Sequence, residues 1–132
     1  MKTTIIVLRV FLGLIGLALI FQGFMWSFLP ESNLEMNGIQ ISSILGINMV
    51  KSDIGGGLLA AGTFLGLFSL KGKHWFYPSV IIASAYFLVR AISLITDGYH
   101  ETVVIGVILE GFVIVAALIL NMFWNAGLNE KV

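Results

Sequence analysis

Four long apolar stretches, separated by short polar breaks, limit what this chain can become. They run over residues 4–29, 53–70, 76–96 and 102–124. A helix that crosses a bilayer needs about 20 mostly apolar residues, and each stretch comes near or exceeds that length. In lipid, backbone polar groups must be satisfied within the segment, which favours helices. The expected fold is therefore all-α, an integral membrane four-helix transmembrane bundle. Residues 1–132 read as a single four-span membrane domain, because no connecting piece is long enough to separate two.

Composition agrees with this class. Hydrophobic residues make up 58% of the chain and charged residues 11%, against roughly 45–50% and about 25% in soluble domains. Small domains bury the smallest share of their surface, so this few charges cannot coat a soluble globule. A soluble enzyme, a disordered chain and a nucleic-acid binder are all disfavoured. Seven basic residues balance seven acidic ones, leaving no net field to attract phosphates. The chain has no cysteine, so disulfides, thiolate metal sites and thiol nucleophiles are absent.

The span ends carry the orientation signals. The first stretch is longer than the 7–15 apolar residues typical of a signal core, as a rough guide. It ends in bulky Phe24, Met25, Trp26 and Phe28, so an uncleaved helix stopped by Pro30 is expected. Trp26, Trp75, Tyr77, Tyr99 and Trp124 fall near span ends, where amphipathic rings prefer to sit. Lys2, Lys71, Lys73 and Lys131 share one side, whereas Lys51 stands among Glu31, Glu35, Asp53, Asp97 and Glu101 on the other. The positive-inside bias then predicts a multi-pass protein with both termini cytoplasmic. Residues 39–50 are half apolar but too short to span. They read as a helical turn or two at the interface or over the bundle.

Charge within a span is costly, about 2.5–3.5 kcal/mol per residue at mid-membrane on insertion scales. Arg9, Arg90 and Glu110 lie inside predicted spans. From the helical rise, Arg90 sits about 9 Å, Gln22 about 10 Å and Glu110 about 12 Å below the outer edge. Asp53 opens the second span there. Tyr86, Arg90 and Asp97 share one helical face. Glu110 shares another with Val103, Gly106, Ala117 and Asn121. Asp53, Gly56, Gly57 and Ala60 form a thin face on the second span, and Gly62 and Gly66 add a G-x-x-x-G step that favours close helix packing. The candidate site is the polar cluster Asp53, Arg90, Asp97, Glu110, Tyr86 and Gln22. Arg9, near the inner face, reads as a snorkelling residue.

Two roles for the cluster stay open. Arg90 could brace the bundle, since a guanidinium with five donors can satisfy two carboxylates. Alternatively, the cluster lines an outward-facing cavity that takes a polar head, the default reading of ionisable residues in a membrane. A third reading has Glu110 relaying protons. His74 and His100 read as interfacial polar residues, the methionines as packing, and no metal or cofactor is expected. Gly55-Gly56-Gly57 lacks the lysine and hydroxyl residue of a phosphate loop. No Ser-His-Asp set is within reach of one site, so no catalytic residues are assigned and an enzyme is not expected.

Three short motifs resemble a known family. They are Asp53-Ile54-Gly55-Gly56 at the head of the second span, Arg90 followed by Asp97-Gly98, and Glu110 in the fourth span. In order and spacing the chain resembles the bacterial domain-of-unknown-function family 4345, a set similar to the broader DoxX-like membrane group. The resemblance implies a four-helix bundle in the bacterial cytoplasmic (inner) membrane, with characteristic polar residues at Asp53, Arg90, Asp97 and Glu110. It implies no established activity. The expected function is binding of a lipid, quinone-like or other amphipathic small molecule. The alternatives are a small oligomeric transporter or channel subunit, or a structural subunit of a larger membrane complex. Expected partners are accordingly the lipid bilayer, the amphipathic ligand, and a homo-oligomer or membrane-protein partner, with no nucleic acid.

Overall fold

A computed structural model describes residues 2–41, 43–99 and 101–126. His100 and Lys131 lie outside the described residues. Among the described residues, six α-helices run in chain order as α1 (Lys2–Phe28), α2 (Pro30–Met36), α3 (Ile44–Met49), α4 (Gly57–Lys71), α5 (Phe76–Thr96) and α6 (Glu101–Asn125). A π-helical stretch, Val50–Gly56, joins α3 to α4, and a 3-10 turn, Lys73–Trp75, leads into α5. Among the described residues there is no strand. Four continuous helical segments, Lys2–Phe28, Ile44–Lys71, Lys73–Thr96 and Glu101–Asn125, are long and apolar enough to cross a membrane. The chain is thus a four-helix architecture suited to a multi-pass membrane protein.

Local chemistry explains the helix ends. Leu29 leaves the helical region (φ −128°, ψ 51°) ahead of Pro30, because the proline ring crowds a helical residue before it. Pro30 then opens α2, where its missing N–H costs nothing. Glycines stop two further helices. Gly72 (φ 92°) follows α4 and Gly98 (φ 99°) follows Asp97, a backbone region that side chains with a Cβ rarely adopt.

The second span departs from expectation. It begins at Ile44, not at 53, because Ser43 caps the helix by accepting from the Gly46 N–H at 3.0 Å. Lys51, Ser52, Asp53 and the three following glycines look like a break in the sequence. The helix passes through them as a wider π turn, the form of helical irregularity often found at functional sites. Residues 44–49 form the expected helical turn or two, and these run on without a break into the second span.

The helices pair as α1 with α4 and α5 with α6, and the pairs close a ring through contacts of α1 with α6 and of α4 with α5. The α1–α4 contact is antiparallel and brings the two backbones together at glycines. A Cβ at Gly16 would fall 2.9 Å from the Gly62 carbonyl oxygen, and one at Gly23 would fall 2.9 Å from that of Gly55. In the same register, Ser27 Oγ donates to the Lys51 carbonyl at 3.5 Å. At the other end Arg9 Nε donates to the Ser69 carbonyl at 2.8 Å. Residues 9, 16 and 23 thus face 69, 62 and 55, in sevens, which keeps one small-residue seam facing its partner along both helices.

Arg9 does not merely snorkel. Its Nη2 also donates to the Leu70 carbonyl at 3.1 Å, so it caps two of the carbonyls left without partners at the C-terminus of α4. Its charge also complements the negative end of the helix dipole. This contact places Lys2, Lys71 and Lys73 at one end of the bundle, called basal below. Helix α2, Asp97 and Glu101 stand at the opposite, distal end.

The main cluster of large buried side chains lies in the basal half. Ile5, Leu12, Leu65, Phe68, Phe76, Val113, Ala116, Ala117 and Leu120 form one buried cluster. Phe68 anchors it, with the Phe76 ring at 5.6 Å and Trp124 edge-on at 4.9 Å. Trp75 stacks on Phe64 at 5.9 Å. Two of the rings expected at the interface, Trp75 and Trp124, are therefore half-buried against the core, whereas Tyr77 and Tyr99 are exposed.

Candidate functional site

Above this basal plug the helices enclose a cavity of about 510 Å³. All four spanning segments contribute: Leu19 and Gln22 from α1, Leu58 and Leu65 from α4, Ser79 to Arg90 from α5, and Gly106 to Val113 from α6. Its walls are mostly apolar, and its polar groups gather toward the distal end. Ser79 is the exception near the floor, and its hydroxyl is already committed, donating to the Trp75 carbonyl at 2.7 Å. From Ser79 to Arg90 the cavity runs along eleven residues of α5, or about 16 Å of helix.

The polar end is built from two side chains of α5 one turn apart. Arg90 reaches across to α6, where its Nε meets Glu110 Oε1 at 2.9 Å. Tyr86 reaches the other way, to α4. Each lies over a glycine. A Cβ at Gly106 would fall 2.5 Å from Arg90 Nη1, and one at Gly57 would fall 2.5 Å from the Tyr86 hydroxyl oxygen. Gly106 precedes Glu110 by one helical turn, so the guanidinium lies along α6 on the face that carries its carboxylate. The two contacts tie α5 to both neighbours at the level of the cavity.

The ion pair is incomplete. A guanidinium and a carboxylate can form two parallel bonds, but here the contact is Nε to Oε1. Among the described residues, Glu110 Oε2 is buried without a hydrogen-bond partner. Arg90 is 39% exposed and Glu110 19%. Buried polar atoms are nearly always paired with protein or ordered water, so Glu110 Oε2 is left as an unsatisfied acceptor on a residue that lines the cavity.

The mouth of the cavity lies between α1 and α6. Phe21 and Gln22 on α1 and Leu109 on α6 line the cavity and are also exposed. Lower down, the same two helices close over Leu12, Ala117 and Leu120. On the α1–α4 side the backbones meet at Gly16–Gly62 and Gly23–Gly55, and on the α4–α5 side Tyr86 bridges to Gly57.

Of the six candidate residues, the structure brings Gln22, Tyr86, Arg90 and Glu110 to one cavity and leaves Asp53 and Asp97 outside it. Asp53 is exposed in the π stretch, where its Oδ1 accepts from Ser52 Oγ at 2.9 Å. The Gly57 N–H still donates to the Asp53 carbonyl, yet the Asp53 side chain stays exposed and outside the cavity. Asp97 ends α5, exposed, and accepts from the Ser93 and Thr96 hydroxyls at 2.8 Å and 3.0 Å. Those two donors offset the unfavourable placement of a carboxylate at a helix C-terminus. Arg90 turns sideways to Glu110 and forms no ion pair with either aspartate.

The roles of Gly57 and Gly106 as beds for Tyr86 and Arg90 were not legible in the sequence, although the spacing of Gly106 to Glu110 hinted at a shared face. Ser79 left no signal. Among the described residues no group of three or more acidic or histidine side chains is arranged to hold a metal. No protein-family model, curated protein or solved structure matches this chain.

Proposed function

We propose that the protein binds an amphipathic small molecule, with its head at Arg90 and Glu110 and its tail running toward Ser79 within the bundle. The observation that carries this reading is the unfinished Arg90–Glu110 pair at the polar end of an otherwise apolar cavity. A concave apolar wall with a few convergent polar groups is how small-ligand sites are generally built. A pair serving only as a brace would gain from the second bond and from exclusion of open space. Ion pairs of this kind stabilise little once desolvation is counted. The gap between α1 and α6 supplies a lateral route from the membrane, past Phe21 and Leu109.

The same reading assigns the protein to the bacterial inner membrane, in kinship with the DoxX-like group, with the basal end cytoplasmic. Support comes from Lys2, Lys71 and Lys73 at that end and the acidic Glu31, Glu35 and Glu101 at the other, a distribution that fits the positive-inside bias. Native mass spectrometry of the protein released gently from its own membrane tests the binding reading, run beside Arg90→Ala. A discrete added mass on the parent chain, lost from the variant, is expected. A bare chain in both would overturn the reading and return the pair to a bracing role.

A further inference from the structure

We infer that the head group recognised at Arg90 is uncharged and carries a hydroxyl, as in a monoacylglycerol or a long-chain alcohol, and is not a carboxylate or phosphate. This rests on the proposed binding of an amphipath in the same cavity. The charge balance of the site supports it. Glu110 Oε1 already sits 2.9 Å from Arg90 Nε, so the guanidinium charge is neutralised within the wall. An anionic head entering beside it would leave one net negative charge among apolar side chains, and an uncompensated buried charge is strongly unfavourable. Gln22 and Tyr86, the other polar groups at this end, carry no positive charge to offset it.

Hydrogen-bonding capacity narrows the class further. A guanidinium carries five N–H donors and Nε is taken by Glu110, so donors remain that call for an acceptor. Glu110, which also lines the cavity, has its Oε2 buried without a donor. A hydroxyl is the smallest group that accepts and donates at once. It completes both halves of the pair without adding charge. An ester or ether would satisfy Arg90 alone and leave the carboxylate oxygen orphaned, the costly arrangement for a buried polar atom. The length of the cavity, about 16 Å of helix between Ser79 and Arg90, suits a single tail.

The test uses the full chain in detergent and four probes with the same tail: a monoacylglycerol, its di-O-methyl ether, the free fatty acid and the fatty-acid methyl ester. Competition against a fluorescent monoacylglycerol reads their affinities at a pH where the free acid is ionised. Binding of the monoacylglycerol about tenfold or more tighter than each of the other three is expected, the size of one hydrogen bond to a charged group. In Glu110→Gln the uncompensated guanidinium should reverse the order, and the fatty acid should bind tightest. If the fatty acid binds as tightly as the monoacylglycerol to the unaltered chain, or if O-methylation is without effect, the head-group inference falls while amphipath binding stands. If none of the four displaces the fluorescent probe, both fall. The comparison on the unaltered chain needs no variant, so it decides the matter even if Glu110→Gln fails to fold.

Discussion

Arg90 reaches Glu110 by lying across Gly106, one helical turn before the carboxylate on α6. Its Nη1 occupies space only 2.5 Å from where a Cβ would stand. The salt bridge therefore depends on a residue that makes no polar contact itself. The i, i+4 spacing of Tyr86 and Arg90 on α5 repeats the device on the other side, where the Tyr86 hydroxyl rests against Gly57.

Gly106→Ala should break the Arg90–Glu110 pair without removing either charge. The nearest atom a methyl group would meet is the far end of a flexible side chain, so the guanidinium can swing aside at a cost of about 1 kcal/mol. Its hydrogen bond to Glu110 would not survive the move. The expected result is a loss of stability no larger than that of removing one partner of the pair, about 1–3 kcal/mol, with at least tenfold weaker amphipath binding, read by melting and by competition on the same preparation.

The two glycines of the G-x-x-x-G step should behave in opposite ways. A Cβ at Gly62 would fall 2.5 Å from the Gly16 carbonyl oxygen and 2.7 Å from the Ile20 nitrogen, both backbone atoms that cannot move alone. Gly62→Ala should destabilise the bundle by about 1–3 kcal/mol, the usual cost of overpacking. A Cβ at Gly66 would meet nothing within 4 Å, so Gly66→Ala should be neutral or stabilising by up to about 1 kcal/mol from helix propensity. Thermal unfolding of the two variants, side by side, checks the contrast.

A double-mutant cycle on Arg90 and Glu110 should show whether bracing or binding is the main role of the pair. Either single change to leucine leaves one charge without its partner. Each should cost up to about 3 kcal/mol, below the full penalty of a buried pair because Arg90 is 39% exposed. The double leucine variant should regain most of that stability and still fail to bind the amphipath. Recovery of both properties together would sink the ligand reading.

Arg9→Gln should loosen the basal end without touching the cavity. Two last-turn carbonyls of α4, those of Ser69 and Leu70, would lose their charged donor, at a cost of about 1–3 kcal/mol. Faster amide hydrogen exchange at Gly72 and Trp75 is expected, with amphipath affinity unchanged.

The absence of cysteine makes single-cysteine labelling a clean test of orientation. A cysteine at Glu35 should react with a membrane-impermeant maleimide in intact cells. One at Lys73 should react only after permeabilisation. The reverse pattern would invert the proposed topology.

The architecture was largely written in the sequence. Apolar length alone called for four helices, since nothing else satisfies the backbone in lipid, and Pro30 marked the end of the first. Residues Arg90, Glu110, Tyr86 and Gln22 could be singled out because an ionisable or amide group is costly at those depths. Tertiary structure decided their partners. Depth and helical phase could place Arg90 within reach of Asp53, Asp97 or Glu110. The choice fell to Glu110 because the guanidinium fits over Gly106, Ser93 and Thr96 already occupy Asp97, and Asp53 stays exposed beside Ser52. The π turn over Val50–Gly56 escapes periodicity, because a change of helical pitch leaves no mark in hydropathy. The basal plug and the distal cavity likewise follow from where facing glycines and large side chains meet across helices, a matter of pairing and register that no single segment carries.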